Sequence, residues 1–159
     1  MVDMKEFVLP FSDSEWISLH AGESVLLSGR VFLGGNEALD RLMFYDSQNI
    51  MLNLELSGCV WIYATSSRDF SQSEWIQDPI PKEYLQTLGE FGVSMAGISL
   101  FDQNTWQDFG VRCMIPEDKE GWFPKDALRR TKSCWWMEGG LRYALWELEV
   151  QGLGPFAVV

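Results

Sequence analysis

The sequence predicts a mixed α/β domain, and three observations support this prediction. Apolar runs typical of strands alternate with segments of helical spacing, as in Val25–Leu33 followed by Glu37–Tyr45. No linker rich in Pro, Gly or Ser and no internal repeat divides the 159 residues. The hydrophobic fraction of 47% excludes a disordered chain. We therefore expect residues 1–159 to form a single domain.

The first part of the chain predicts a strand, a turn and a helix. Ser12 or Asp13 is expected to cap a short helical turn. The β-branched and apolar run Val25–Leu33 then predicts a strand, which the glycine at position 29 is expected to interrupt with a bulge. After a glycine turn, Asn36 is predicted to cap a helix over Glu37–Tyr45, where the apolar residues have helical spacing.

The rest of the chain continues the alternation of strands and helices. Pro81 is typical of a first helical turn and predicts a helix over Lys82–Glu90. Leu145–Val150 alternates apolar and charged residues, which predicts a half-exposed strand. The remaining predictions are strands over Cys59–Ala64, Gly92–Ile98, Val111–Ile115 and Ser133–Met137, and helices over Gln103–Phe109 and Pro124–Lys132.

The net charge of the chain limits the classes of partner that we expect it to bind. The chain carries 12 Lys and Arg against 23 Asp and Glu, a formal net charge of −11. This argues against nucleic-acid binding, which needs clustered cations, and suits a basic surface on a partner. No apolar run approaches the ~18 residues of a membrane helix. The N-terminus has no signal-peptide layout, so we expect a cytoplasmic protein with no membrane contact.

Cysteine and histidine usage predicts no metal site. Cys59, Cys113 and Cys134 are widely spaced, and His20 is the only histidine. A structural zinc site needs about four such ligands at close spacing. We expect these cysteines to be buried, reduced thiols.

The eight tryptophans fall into two groups. Those in predicted strands are expected in the core: Trp61, Trp135, Trp136 and Trp146. The others have charged neighbours, and their sequence context leaves packing at the core edge and an interface role equally open: Trp16, Trp75, Trp106 and Trp122.

Several segments, taken in order, carry a resemblance to a known family. They are Ala21–Phe32 with Arg41 and Leu42 after it, Leu56–Tyr63, residues 83–98, and the run from Trp136 to Val158. Together they resemble the β subunit, or C-terminal domain, of the class I iron–sulfur fumarases and L-tartrate dehydratases. The resemblance implies a three-layer swivelling β/β/α domain, which in the family lies against a separate α region holding a 4Fe–4S cluster.

Part of the family's substrate-binding pattern is kept. Arg41 remains from the motif after the first strand, and the substrate loop of the family is similar to residues 64–69. The resemblance therefore implies that Arg41, Thr65 and Arg68 bind substrate carboxylates. It assigns no catalytic residue and no metal ligand in this chain.

Most of the catalytic pattern is missing. Gly35 and Asn36 stand where the family has Arg-Asp, Leu39 replaces its His, and Ala64 replaces the Thr of proton transfer. Ser99 lies in the turn where the family has its Lys. A dicarboxylate needs several positioned cations, and adding water beside a carboxylate needs an acid or base. The sequence thus predicts a degenerate site and leaves open whether any catalysis remains.

Two functions follow from these observations. The first is a divergent hydro-lyase β-like subunit, non-catalytic or dependent on a partner, either an iron–sulfur α subunit or a second copy in a homo-oligomer. This chain is expected to hold no cofactor, and an iron–sulfur cluster enters only with an α-type partner. The alternative is an acidic protein-binding module, of inhibitor or immunity type, that masks a basic partner surface.

Overall fold

The computed structural model describes residues 4–12, 18–50, 54–66, 74–102, 110–117 and 125–159. The strands are β1 (Met4–Leu9), β2 (Ser24–Gly34), β3 (Val60–Thr65), β4 (Glu74–Trp75), β5 (Met95–Gly97), β6 (Arg112–Pro116), β7 (Leu128–Trp135) and β8 (Leu145–Val158). The helices are α1 (Asn36–Ser47) and α2 (Lys82–Glu90), and short 3₁₀ turns lie at Lys125–Ala127, Met137–Gly139 and Leu141–Tyr143.

The described strands form a mixed sheet that closes into a small barrel. β1, β2, β3, β5 and β6 are parallel neighbours in that order. β8 runs antiparallel to both β6 and β2, so the ring β2–β3–β5–β6–β8 returns to its starting strand. β7 extends the sheet beyond β8, and β4 pairs with β3.

Alternate residues of the strands supply two separate hydrophobic clusters. One set points into the barrel and includes Val31, Ile62 and Met114. The other faces the two helices and includes Phe32, Trp61 and Leu42 of α1. Both helices therefore cover the same outer side of the parallel strands, as the period-two pattern of the strands requires.

The bulge predicted in β2 is confirmed. The pairing of β2 with β8 shifts register between Leu27 and Gly29, and Gly29 has a φ of +103°. A Cβ at Gly29 would lie 2.6 Å from the carbonyl oxygen of Leu9, so a side chain there would clash with backbone. Glycine lets β1 pass close to β2 and lets β2 bend around the barrel.

Both described helices were predicted within one or two residues of their bounds, but the predicted cap of α1 was wrong. The residue at the N-cap is Gly35, and it makes no side-chain cap hydrogen bond. Asn36 is the first residue of the helix, and its Oδ1 accepts a hydrogen bond from the hydroxyl of Tyr63 instead. The side chain of Asn36, which the local sequence pattern assigned to capping, bonds instead to a residue that is distant in sequence.

The predicted helix over Pro124–Lys132 was also wrong. Lys125–Ala127 forms a 3₁₀ turn, and Leu128 begins β7. β7 pairs with β8 from Leu128 opposite Val150 to Trp135 opposite Leu145, so a distant strand decided the local conformation. The predicted turn after Ser12 and helix over Gln103–Phe109 lie outside the described residues, at 13–17 and 103–109.

Tryptophan and cysteine positions were predicted in part. Trp61 is fully buried, and Trp75 is also in the core, 5.8 Å from the ring of Phe156. Half-buried tryptophans are Trp135, Trp136 and Trp146, while Trp16, Trp106 and Trp122 lie outside the described residues. Cys59 and Cys113 are buried free thiols as expected, but Cys134 is exposed on β7.

Candidate functional site

The carboxyl ends of β2, β3 and β5 meet at one edge of the sheet, which we call the strand-end edge. A Cβ on Gly35 would lie 3.4 Å from Cγ2 of Thr65 and 3.3 Å from Cδ1 of Ile76. The hydroxyl of Ser99 donates a 2.7 Å hydrogen bond to the carbonyl of Ile76. Gly35, Thr65 and Ser99 therefore gather around Ile76, in the position where parallel α/β sheets commonly bind ligands.

Two tyrosines join the strand-end edge to the helices. Tyr63 donates to Asn36 at the start of α1, and Tyr84 of α2 donates to Oδ1 of Asp40. Burial raises the pKa of Tyr63 to about 12, and three nearby carboxylates add to the increase: Asp78, Glu37 and Asp40. The pKa of Tyr84 is raised as well, by burial first and then by its hydrogen bond to Asp40.

These two phenols stay protonated at neutral pH and act as fixed hydrogen-bond donors. Both pKa shifts have carboxylates among their causes, so the potential around the phenols is negative. A negative potential disfavours a dicarboxylate ligand. The residues described at this edge hold their neighbours in place and offer no acid–base pair of opposed pKa.

The predicted substrate-binding residues lie in different surroundings. Thr65 is the exposed last residue of β3, at the strand-end edge. Ser66, next to it, accepts a 2.7 Å hydrogen bond from Nε1 of Trp146, which ties the end of β3 to β8. Arg68 lies outside the described residues. The guanidinium of Arg41 binds a carboxylate on another part of the surface, so the described residues do not bring it to Thr65.

That other surface is an open cavity of about 560 Å³ between α1 and the loop that precedes β8. We call it the acidic–aromatic cleft. Its lining consists of carboxylates, aromatic rings and one arginine: Glu37, Asp40, Arg41, Phe44, Tyr45, Glu138 and Tyr143. Trp136 and Arg142 contact these lining residues.

One side of the cleft is built around Arg41. Its Nη1 lies 3.2 Å from Oε1 of Glu138, and its guanidinium carbon lies 5.7 Å from the ring centroid of Trp136. Trp136 in turn stacks on Tyr45, with ring centroids 5.9 Å apart and an interplanar angle of 24°. The guanidinium thus has a carboxylate beside it and an aromatic face against it.

Trp136 adopts a backbone conformation that bulky residues avoid. Its φ of +66° places it in the left-handed region, where glycine and asparagine are the usual residues. Such a conformation costs of order 1–3 kcal/mol and persists where the surroundings hold it, often at functional sites. Here the indole stacks on Tyr45, which lines the cleft, and so supports that ring from behind the lining.

The opposite side of the cleft repeats the arrangement with Arg142. Its Nη2 lies 2.9 Å from Oε1 of Glu37, and its guanidinium carbon lies 5.4 Å from the ring centroid of Tyr143. The hydrogen bond that Arg142 donates to Glu37 raises the pKa of this arginine further above its already high value. Arg41 and Arg142 are therefore held alike, each by one carboxylate and one ring.

Sequence reasoning did not find this cleft. It assigned Trp136 to the core and did not single out Phe44, whose side chain is 58% exposed. One signal was available on α1, since Glu37 and Arg41, like Asp40 and Phe44, are four residues apart and share a helix face. The contribution of residues 136–143 depends on tertiary packing and left no local signal.

The described residues give no grouping of three His, Cys, Asp or Glu that would hold a metal ion. The most polar buried cluster is that of Arg30 on β2, which lies 2.9 Å from Oε2 of Glu147 and 3.4 Å from Sγ of Cys59. Burial raises the pKa of the Cys59 thiol, against the influence of Arg30. This thiol is fully buried and protonated, so the cluster serves the packing of β2 against β8.

No protein-family model matches the chain, and no curated protein is significantly similar to it in sequence. Of the helices described, none has the length and apolar character needed to cross a membrane.

Proposed function

We propose that the chain is a protein-binding module whose acidic–aromatic cleft docks on a basic surface of a protein partner, as an inhibitor or immunity-type protein does. The observation that carries this proposal is the composition of the cleft, where, among the described residues, three carboxylates and three aromatic rings line one open cavity together with a single arginine. Aromatic anchors in a concave surface supply much of the energy of protein interfaces. Carboxylates around them favour a cationic partner and repel an anionic one.

The charge of the whole chain supports the same proposal. A formal net charge of −11 attracts basic partners from a distance and speeds their association at low salt. The strained backbone of Trp136 adds to this, because it holds the ring ready before a partner arrives. The strand-end edge has no comparable feature, since its described polar groups bind one another.

A second proposal keeps the family resemblance. Here the chain is a divergent relative of the fumarase and tartrate dehydratase β subunit, with the three-layer swivelling β/β/α fold and a degenerate site. What favours it is that Gly35, Thr65 and Ser99, which the resemblance aligns with three separate site segments, lie together at the strand-end edge. Its partner would be an iron–sulfur α subunit or a second copy of the chain.

The first proposal is tested by affinity capture from extracts of the native cell at low and moderate salt. The cleft variant combines Phe44→Ala with Glu138→Gln. The matched control combines Ile50→Ala with Glu90→Gln, which removes one exposed apolar side chain and one exposed carboxylate elsewhere. We expect a basic protein that the control retains and the cleft variant loses.

The captured partner is then purified and its affinity measured by calorimetry. We expect the dissociation constant to rise roughly tenfold or more between 50 and 300 mM salt, because exposed charges are screened over about 10 Å. A partner bound equally by the cleft variant contradicts the proposal. Capture of an iron–sulfur subunit by both variants favours the second proposal instead.

A further inference from the structure

The cleft already shows how it holds a guanidinium. Arg41 lies between Glu138 and Trp136, and Arg142 lies between Glu37 and Tyr143. In both cases a carboxylate oxygen accepts from the guanidinium within 3.2 Å, and a ring centroid lies within 5.7 Å of the guanidinium carbon. The planar cation uses its edge for the carboxylate and its face for the ring.

A third carboxylate and ring in the same cavity have no such cation. Asp40 and Phe44 both line the cleft, and their separation by four residues of α1 places them on one helix face. Asp40 accepts a hydrogen bond from the hydroxyl of Tyr84, and no ion pair reaches it within the described parts of the chain. The ring of Phe44 is 58% exposed and lines the cavity, so an incoming side chain can cover it.

We infer that Asp40 and Phe44 form a recognition site for an arginine side chain presented by the protein partner. This inference rests on the proposed function and adds the residue type that the partner uses. Tyr84 fixes the Asp40 carboxylate from the α2 side, so the carboxylate is oriented before binding. An incoming arginine would donate to Asp40 along its edge and cover the ring of Phe44 with its face.

Lysine is the other cationic side chain that a partner could present to Asp40 and Phe44, and its ammonium group differs from a guanidinium in hydration and shape. An ammonium group is a strongly hydrated point charge, and it cannot present a flat face to a ring while pairing in its own plane with a carboxylate. Either cation can contact a ring, and this contact contributes about 0.5–1 kcal/mol at exposed sites, which is about two- to fivefold in affinity. A guanidinium keeps the contact while its edge pairs with Asp40, whereas an ammonium that pairs with Asp40 gives it up, so the site is expected to prefer arginine by up to that factor.

The test is a titration of the ¹⁵N-labelled chain with hexa-arginine and, separately, with hexa-lysine, followed by NMR. In the wild-type chain we expect the largest shifts of amide signals in the segment from Asp40 to Phe44 of α1. We expect hexa-arginine to bind about two- to fivefold more tightly than hexa-lysine. This map needs no variant and is independent of any effect of mutation on folding.

Variants then assign the preference to the two side chains. Asp40→Asn is expected to weaken binding of both peptides, and Phe44→Ala is expected to bring their affinities together. Glu90→Gln, which removes an exposed carboxylate on α2, serves as the matched control and should keep the preference. Dispersion of the amide spectrum confirms that each variant is folded.

The outcomes separate the inference from the function on which it rests. Equal binding of both peptides at the cleft overturns the arginine site and leaves a basic partner as the proposed ligand. A preference for arginine that Phe44→Ala retains also overturns it. Absence of shifts at the cleft with either peptide contradicts both the arginine site and the proposed function.

Discussion

The strand-end edge and the acidic–aromatic cleft share helix α1 but use it in opposite ways. At the edge, Asn36 and Gly35 turn inward, and their neighbours Tyr63 and Thr65 lie against them. In the cleft, Phe44 faces outward from the last turns of the same helix, with its ring largely exposed. The first residue of α1 thus bonds to a neighbour within the fold, whereas Phe44 near its end exposes a ring that a partner can contact.

This difference shows how a structural region can be separated from a candidate binding region on the contacts of their side chains alone. Buried polar groups at the edge are matched by nearby donors and acceptors, which is what stability requires. The cleft contains exposed apolar area and a strained tryptophan, which stability alone does not favour. Substitutions in the two regions should therefore affect different measurements.

The largest expected effect is on stability at the strand-end edge. Trp61 is fully buried, and its Nε1 donates a 3.1 Å hydrogen bond to the carbonyl of Gly34. Trp61→Ala should lower the free energy of unfolding by about 3–5 kcal/mol, because it leaves a large cavity. Phe44→Ala in the cleft should lower it by less than about 0.5 kcal/mol. Urea denaturation followed by circular dichroism measures both, and similar losses would remove the distinction between the regions.

A smaller loss is expected from Tyr63→Phe, together with a change in pH dependence. Removing the hydroxyl leaves Oδ1 of Asn36 without its donor, at a cost of about 1–2 kcal/mol near neutral pH. The pKa of Tyr63 is about 12 in the folded chain against an ordinary value of 10.0. Its neutral form is therefore favoured by folding, and this stabilisation is complete below pH 10 and is lost as the pH rises toward 12.

The measurement is the free energy of unfolding between pH 8 and pH 12 for both chains. The wild type should lose stability more steeply above pH 10 than Tyr63→Phe, so the two curves converge. Part of the decline should remain in the variant, because the raised pKa of Tyr84 acts in the same direction. Parallel curves would mean that Tyr63 titrates alike in the folded and unfolded chains.

In the cleft, Trp136→Asn should change stability little and binding strongly. Asparagine adopts positive φ readily, so relief of backbone strain offsets the lost contacts with Tyr45 and Arg41, leaving a net change within about 1 kcal/mol. Binding of the basic partner should weaken at least tenfold, since aromatic anchors contribute about 2 kcal/mol or more to an interface. A stability loss as large as that of Trp61→Ala would place this tryptophan with the core.

The smallest expected effect on stability is that of Glu138→Gln. The Glu138 side chain is 74% exposed, and an ion pair so exposed contributes about 0.5 kcal/mol or less. The variant frees Arg41 from its partner, so the cleft becomes less acidic and binds a basic protein more weakly. Thermal denaturation at low and high salt tests the first point, because the difference from wild type should vanish at high salt.

Sequence patterns predicted the parts of the fold that local physics decides. The apolar spacing of α1, the proline before α2 and the glycine bulge of β2 all act within a few residues, and each was found in place. The first part of β7, from Leu128, was missed because its conformation depends on pairing with β8, whereas Ser133–Trp135 fell within a predicted strand. The closure of the strands into a ring could not be predicted from local patterns either, because it depends on the pairing of β8 with both β2 and β6.

Less of the candidate site than of the fold could be predicted from the sequence, because its residues come together only through long-range contacts. Arg41 and Glu138 form an ion pair although they are distant in sequence, and no local pattern around either residue indicates the pairing. The family resemblance drew attention to Arg41 as a carboxylate-binding group, whereas its described partner is a glutamate of the chain itself. The alternative of an acidic module looked for exposed aromatic rings at other positions, such as Trp75, which lies in the core.

The closing of the ring by β8 has a consequence for how the chain folds. β2 and β8 pair residues as distant as Ser24 and Ala157, and contacts of such long range make folding slow. During synthesis, β2 and β6 emerge before β8 exists, and they keep open edges until it arrives. Open edges template pairing with other chains. The nascent protein therefore depends most on rapid docking of its last strand, long before any partner meets the cleft.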